Sequence, residues 1–143
     1  MSDTLIKVGD VFKVKRTVTR DVYEAFLICS EDRNPLHAND DYARALGYKS
    51  KLMHGAILNA FISGLVGTGL PSNDTMCLSQ MVNFKKPFFC EDEILIDATV
   101  SDVQPSPHAG LLVALKLRFS VADNVVATGQ VQLLMDGFQS KMK

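Results

Sequence analysis

Apolar positions along the chain change their period partway through, and the change separates helices from strands. Val22, Ala25, Phe26 and Cys29 recur at helical spacing behind Thr19, whose hydroxyl suits the free N–H groups of a first turn. The spacing predicts a helix with Thr19 as its N-cap. A second, short helix is predicted to start at Asn39 or Asp40 and to stop at Gly47, which suits the left-handed position past a helix end. The run Gly55-Ala-Ile-Leu-Asn-Ala-Phe-Ile-Ser-Gly-Leu-Val is apolar almost all round, so it is expected to be enclosed by protein. Beyond it the period falls to two. Ile94, Ile96, Ala98 and Val100 alternate with polar residues, and so do apolar positions from Leu111 to Val121, which predicts strands with one buried face. Asp123-Asn124 offers a tight hairpin into a further strand over 125–135. Segments 8–17 and 75–86 supply two more strands, and residues 137–143 read as a frayed tail. Long antiparallel strands with one wholly apolar helix to cover predict an α+β fold, a curved antiparallel sheet wrapped around a long central helix.

Composition narrows the function without naming it. A chain of 143 residues with 47% hydrophobic content suits a single domain over 1–143, its core within about 8–135. Fifteen basic and 16 acidic residues leave a formal net charge of −1, and no basic stripe points to nucleic acid. Cys29, Cys77 and Cys90 form no CxxC pair, and His37, His54 and His108 are scattered, so neither a metal site nor a cofactor is expected. The N-terminus lacks the basic and apolar regions of a signal peptide, and the apolar run at 55–66 is too short to span a bilayer. A cytoplasmic protein with no membrane partner is the expectation.

The chemistry concentrates in Ser30-Glu-Asp-Arg-Asn-Pro-Leu-His37. Pro35 disfavours helical geometry at Asn34 and breaks any helix arriving from the N-terminal side. Asp32 and His37 are therefore expected on a proline-stiffened loop that can turn an acid and a base toward one point, an arrangement suited to proton transfer through a bound water. Asp, Asn and Pro at this spacing also build ordinary turns, since the Asp and Asn side chains bond nearby backbone.

The wider pattern weighs against that plainer reading. Ser30, Asp32, Asn34, Pro35 and His37, with Ala43 beyond them, are followed by His54-Gly55 at the mouth of the apolar run, then Ser63-Gly64, then Phe84, Pro87 and Asp92. This series resembles the MaoC-like (R)-specific enoyl-CoA hydratases and dehydratases of the hot-dog fold, over roughly residues 8 to 135. Two positions depart from the family pattern: Glu31 and Glu91 stand where it carries glycine. If the first of those glycines has a positive φ, glutamate there brings about 1 kcal/mol of strain or shifts the loop.

The resemblance implies a lyase that adds water reversibly, in a syn manner, to a trans-2-enoyl thioester to give the (R)-3-hydroxyacyl product. Asp32 and His37 would be the catalytic pair, with Asp32 favoured as the base. The first N–H groups of the central helix, with Gly55 allowing close approach, are candidates to bind the enolate oxygen, although Gly55 alone would suit simple helix packing. Ser63 is a further substrate-binding candidate, or else bonds its own helix backbone. Asn34 is expected to order the loop and His54 to position it, while Leu58, Phe61 and Ile62 would flank an acyl chain. Lys49, Lys51, Lys85 and Lys86 are cations available to CoA phosphates. His108, between prolines, reads as part of a turn. An acyl-CoA thioester is the expected substrate and a homodimer the expected assembly. The alternatives are a dehydratase acting on acyl carrier protein, a thioester-binding module disabled near Glu31, and, more weakly, a thioesterase.

Overall fold

The computed structural model describes residues 5–136. Strand β1 (Val11–Thr17) leads into helices α1 (Arg20–Ser30), α2 (Pro35–Ala38), α3 (Asp40–Ala45) and α4 (Ile57–Thr68). Four strands follow: β2 (Thr75–Phe84), β3 (Glu93–Pro105), β4 (Leu111–Val121) and β5 (Asn124–Met135). All five strands join one antiparallel sheet in the order β1-β3-β4-β5-β2. The alternation read from the sequence sets its inner face: Ile94, Ile96, Ala98 and Val100 of β3 and Val113, Leu115, Leu117 and Phe119 of β4 are all buried. Ala122 and Asp123 both take positive φ, which makes the tight β4–β5 hairpin that the Asp-Asn pair predicted.

Helix α4 lies against this inner face. Ile57, Leu58, Ile62, Leu65 and Val66 are buried, and each contributes about 1.5–3 kcal/mol by leaving water. The expectation that protein would surround this helix needs correcting for a single chain: Ala56, Ala60, Ser63 and Gly67 on its other side are exposed. Beside them runs β2, an edge strand whose Met76, Leu78, Met81 and Phe84 are also exposed. The all-round apolar pattern is therefore matched by burial on one side of α4 only among the described residues.

The remaining boundaries follow local chemistry. The Thr19 hydroxyl caps α1 by accepting from the Val22 N–H, as predicted. Asn39 caps α3 through Tyr42, and Gly47 beyond that helix has φ 96°. The predicted tail at 137–143 lies outside the described residues. No helix among the described residues is long and apolar enough to cross a membrane.

Candidate active site

The Asp32–His37 segment is a chain of caps, shorter and more helical than a simple loop. Helix α1 closes on Glu31, whose N–H donates to the Leu27 carbonyl at 2.9 Å from a left-handed conformation, φ 57°. The Asp32 N–H donates to Ser30 Oγ at 3.1 Å, and Asp32 Oδ1 accepts from the Asn34 N–H at 3.1 Å. Asn34 in turn caps α2, its Oδ1 accepting from the Leu36 N–H at 2.9 Å, with Pro35 at the first helical position. Proline there needs no backbone donor and presets φ, so it starts this helix instead of breaking one. His37 therefore sits in the last turn of α2, on a helix and not on a free loop.

Both motif positions that depart from glycine turn out to be left-handed. Glu31 has φ 57° and Glu91 has φ 72°. Each glutamate holds the conformation that glycine would take freely, at a cost of about 1–2 kcal/mol of steric strain. The loop is kept and the strain accepted.

Three contacts hold His37, two through its ring and one through its backbone. Its Nδ1–H donates to the Leu52 carbonyl at 2.9 Å, which assigns the proton to Nδ1 and leaves Nε2 as the free nitrogen. Its backbone carbonyl accepts from the Tyr23 hydroxyl at 2.6 Å. Burial holds the Tyr23 phenol above its ordinary pKa despite the opposing charge of Arg33, so this donor keeps its proton. Its ring stacks on His54, centroid to centroid at 4.3 Å. No residue pattern pointed to the Leu52 anchor, because a backbone carbonyl carries no residue-type signal.

His54 is 2% exposed and lies behind the segment. Its Nε2–H donates to the backbone carbonyl of Asp32 at 2.9 Å, with the Asp32 carboxylate 4.0 Å away. The Asp32 carboxylate itself is about half exposed. Immediately after His54, Gly55 opens the first turn of α4, which has no side-chain cap. The Ile57, Leu58 and Asn59 N–H groups of that turn already donate to the His54, Gly55 and Ala56 carbonyls at 3.0–3.1 Å. Among the described residues, the donors left over at this helix entrance are therefore the N–H groups of Gly55 and Ala56. A side chain at Gly55 would strike the Phe84 ring, with Cβ at 2.8 Å from the nearest ring carbon. A larger residue there would have to push the exposed Phe84 ring aside, so glycine lets that ring close over the start of α4.

His37 and Gly55 share one groove of about 430 Å³, lined also by Leu52, Met53 and the segment from Phe84 to Phe88, including Lys85 and Lys86. Lys49 and Lys51 are held elsewhere, their ammonium groups over the rings of Phe89 (4.5 Å) and Tyr23 (4.7 Å). His37 and Gly55 line this groove together, whereas Asp32 and Asn34 do not line it; Asp32 is linked to His37 through His54, which bonds the Asp32 carbonyl and stacks on the His37 ring. Ser63, on the exposed side of α4, does not line this groove. His108 is exposed between β3 and β4.

Comparison with known proteins places this geometry in a family. Residues 5–114 match the family model described as a MaoC like domain. An (R)-specific enoyl-CoA hydratase of Rhodospirillum rubrum is 29% identical over 130 residues, covering 91% of this chain and 88% of that protein. A mitochondrial 3-hydroxyacyl-[acyl-carrier-protein] dehydratase of Arabidopsis thaliana is 33% identical over 94 residues, 66% of this chain and 55% of that one. The solved (R)-hydratase from A. caviae involved in PHA biosynthesis superposes with a TM-score of 0.81 at 26% identity, covering 91% of this chain and 97% of that one.

Proposed function

Since this chain belongs to the MaoC-like dehydratase family and is a hydro-lyase of the hot-dog fold, we propose that its reaction is the reversible, (R)-specific hydration of a trans-2-enoyl-CoA, with Asp32 and His37 activating the water. The observation that carries this reading is the anchoring of His37: with Nδ1 committed to Leu52, only Nε2 is left to serve the groove that begins at Gly55. The water gives a proton to the dyad, with Asp32 as base, and its oxygen bonds to the β-carbon of the enoyl thioester. The π electrons move onto the thioester oxygen, where the Gly55 and Ala56 N–H groups, which lead into α4 and are not used by its first turn, stabilise the enolate. Asp32 passes that proton to the free Nε2 of His37, which delivers it to the α-carbon as the enolate collapses, leaving both groups as they began. Water is consumed, no group leaves, and the reverse sequence dehydrates the 3-hydroxyacyl thioester.

A thioester on acyl carrier protein is the second reading. It is supported by the resemblance to the Arabidopsis dehydratase and by Lys85 and Lys86, which suit the phosphate of either carrier. In both readings the chain works as a homodimer, with β2 and the open side of α4 as the shared surface. That surface is apolar and unpaired in the single chain.

Loss of the conjugated enoyl absorbance of crotonyl-CoA, with chiral analysis of the product, tests the reading. The expected product is (R)-3-hydroxybutyryl-CoA. Asp32→Asn and His37→Gln are each expected to slow the reaction by about 10²–10⁴-fold, the range that a positioned acid or base supplies. Near-normal turnover in both variants would remove the pair from the mechanism. Release of free thiol would make the protein a thioesterase. Activity confined to crotonyl carried on acyl carrier protein would select the second reading.

A further inference from the structure

His54 makes no proton-transfer contact in the mechanism above, yet it is the most elaborately held polar side chain near the site. It is 2% exposed, and its Nδ1 is buried without a hydrogen-bond partner among the described residues. Its ring is sandwiched by Tyr23 at 5.8 Å, Phe26 at 4.8 Å and His37 at 4.3 Å. A leucine or phenylalanine would occupy such a pocket without burying an orphaned nitrogen, so stability alone does not account for histidine here. What an apolar residue could not supply is the Nε2–H bond to the Asp32 carbonyl.

We infer that His54 is a positioning residue that holds both members of the dyad, each by a different contact. It ties Asp32 down through the backbone, by the 2.9 Å bond from Nε2–H. It supports His37 from behind through ring stacking at 4.3 Å, while Leu52 fixes the rotation of that ring through Nδ1. The Asp32 carboxylate is half exposed and, among the described residues, accepts only from the Asn34 N–H; the other bonds of the turn are local, so the His54 bond is the one that ties it to the base of α4. His54 also precedes Gly55 directly, so one residue sets the dyad relative to the Gly55 and Ala56 N–H groups that lead into α4. The inference rests on the Asp32–His37 reading and adds to it the part that fixes the geometry. Reaction rates respond steeply to such placement, since a misplacement of about 1 Å costs about 100-fold.

Two substitutions divide the two contacts. His54→Gln keeps an N–H able to reach the Asp32 carbonyl and loses the ring, while His54→Phe keeps the ring and loses the donor. Steady-state hydration of crotonyl-CoA and thermal unfolding are measured for both, beside wild type and Asp32→Asn. The expected result is a fall in kcat of about 10–100-fold for His54→Phe, with KM within about twofold of wild type and thermal stability unchanged or higher. His54→Gln is expected to recover part of kcat, and the pH profile of the surviving activity should keep its wild-type shape, because His54 itself transfers no proton. Wild-type kcat in a folded His54→Phe protein would overturn the inference, and so would kcat falling only in step with thermal stability. If His54→Phe does not fold, His54→Gln decides: wild-type turnover without the ring refutes the stacking role, and reduced kcat at unchanged KM supports it. Full activity in Asp32→Asn would instead show that the underlying reading had failed.

Discussion

Glu31→Gly is the substitution whose effect can be worked most directly from the backbone. At φ 57° the Glu31 Cβ crowds its own carbonyl, a strain of about 1–2 kcal/mol that glycine does not feel. Against this, glycine loses more conformational freedom on folding, which offsets about 0.5–1 kcal/mol. No hydrogen bond or ion pair of the Glu31 carboxylate is found among the described residues, and the cap bond to Leu27 is made by the backbone N–H, which glycine retains. The net gain is therefore about 0.5–1 kcal/mol. For a chain near this size, that is a rise in midpoint of roughly 1–4 °C, measured by calorimetry or circular dichroism at neutral pH. Glu31→Ala is the control: it removes the same carboxylate and keeps Cβ, so its midpoint should stay with wild type. Turnover should be unchanged or raised in the glycine variant, because the Asp32–Asn34 turn is already in place. A lower midpoint for Glu31→Gly, or an equal rise for Glu31→Ala, would refute the strain argument. Collapse of activity would give the Glu31 side chain a role of its own.

Three further expectations concern other parts of the molecule. Gly129→Ala should destabilise by about 3 kcal/mol, because its Cβ would stand 2.4 Å from the Met81 carbonyl oxygen where β5 meets β2; a denaturant titration with unchanged midpoint would refute the closeness of that approach. Lys85→Ala with Lys86→Ala should raise KM for crotonyl-CoA several-fold and flatten its dependence on salt, as loss of two cations from a groove rim requires. The same pair of substitutions should leave crotonyl-pantetheine, which has no phosphate, unaffected. Burial and the neighbouring Glu91 push the Cys90 thiol above its ordinary pKa, so less thiolate is present at mildly alkaline pH. Cys90 should therefore alkylate more slowly than exposed Cys29 and Cys77 in peptide-mapped labelling time courses.

The sequence carried the strands well because alternation is a property of side chains. Ile94, Ile96, Ala98 and Val100 went to the buried face as their spacing required. The caps at Thr19 and Asn39 were legible for a similar reason: a short polar side chain before an apolar period has one good use. The site was only partly legible. Asp32, Asn34, His37 and Gly55 could be picked out as residue types, but the Leu52 carbonyl that orients His37 and the His37–His54 stack arise from tertiary contact. The left-handed backbone at Glu31 was equally hidden, since glutamate has no preference for it and only the family pattern of glycine hinted at it. For α4, periodicity reported apolar character on every side without saying which side the sheet would leave exposed. Ser63 fell on that open side.

The two edges of the sheet are chemically unlike, and that difference limits how large an assembly can grow. Strand β1 presents Lys13, Lys15 and Arg16, exposed charges that repel an incoming strand, whereas β2 carries no charged residue from Thr75 to Phe84. Only one edge is adhesive. Two copies meeting through β2 would use up both adhesive edges and leave a cationic border at each end of the joined sheet. In such a pair a third copy would find no uncharged edge to extend, so the same surface would both join two copies and stop the sheet there.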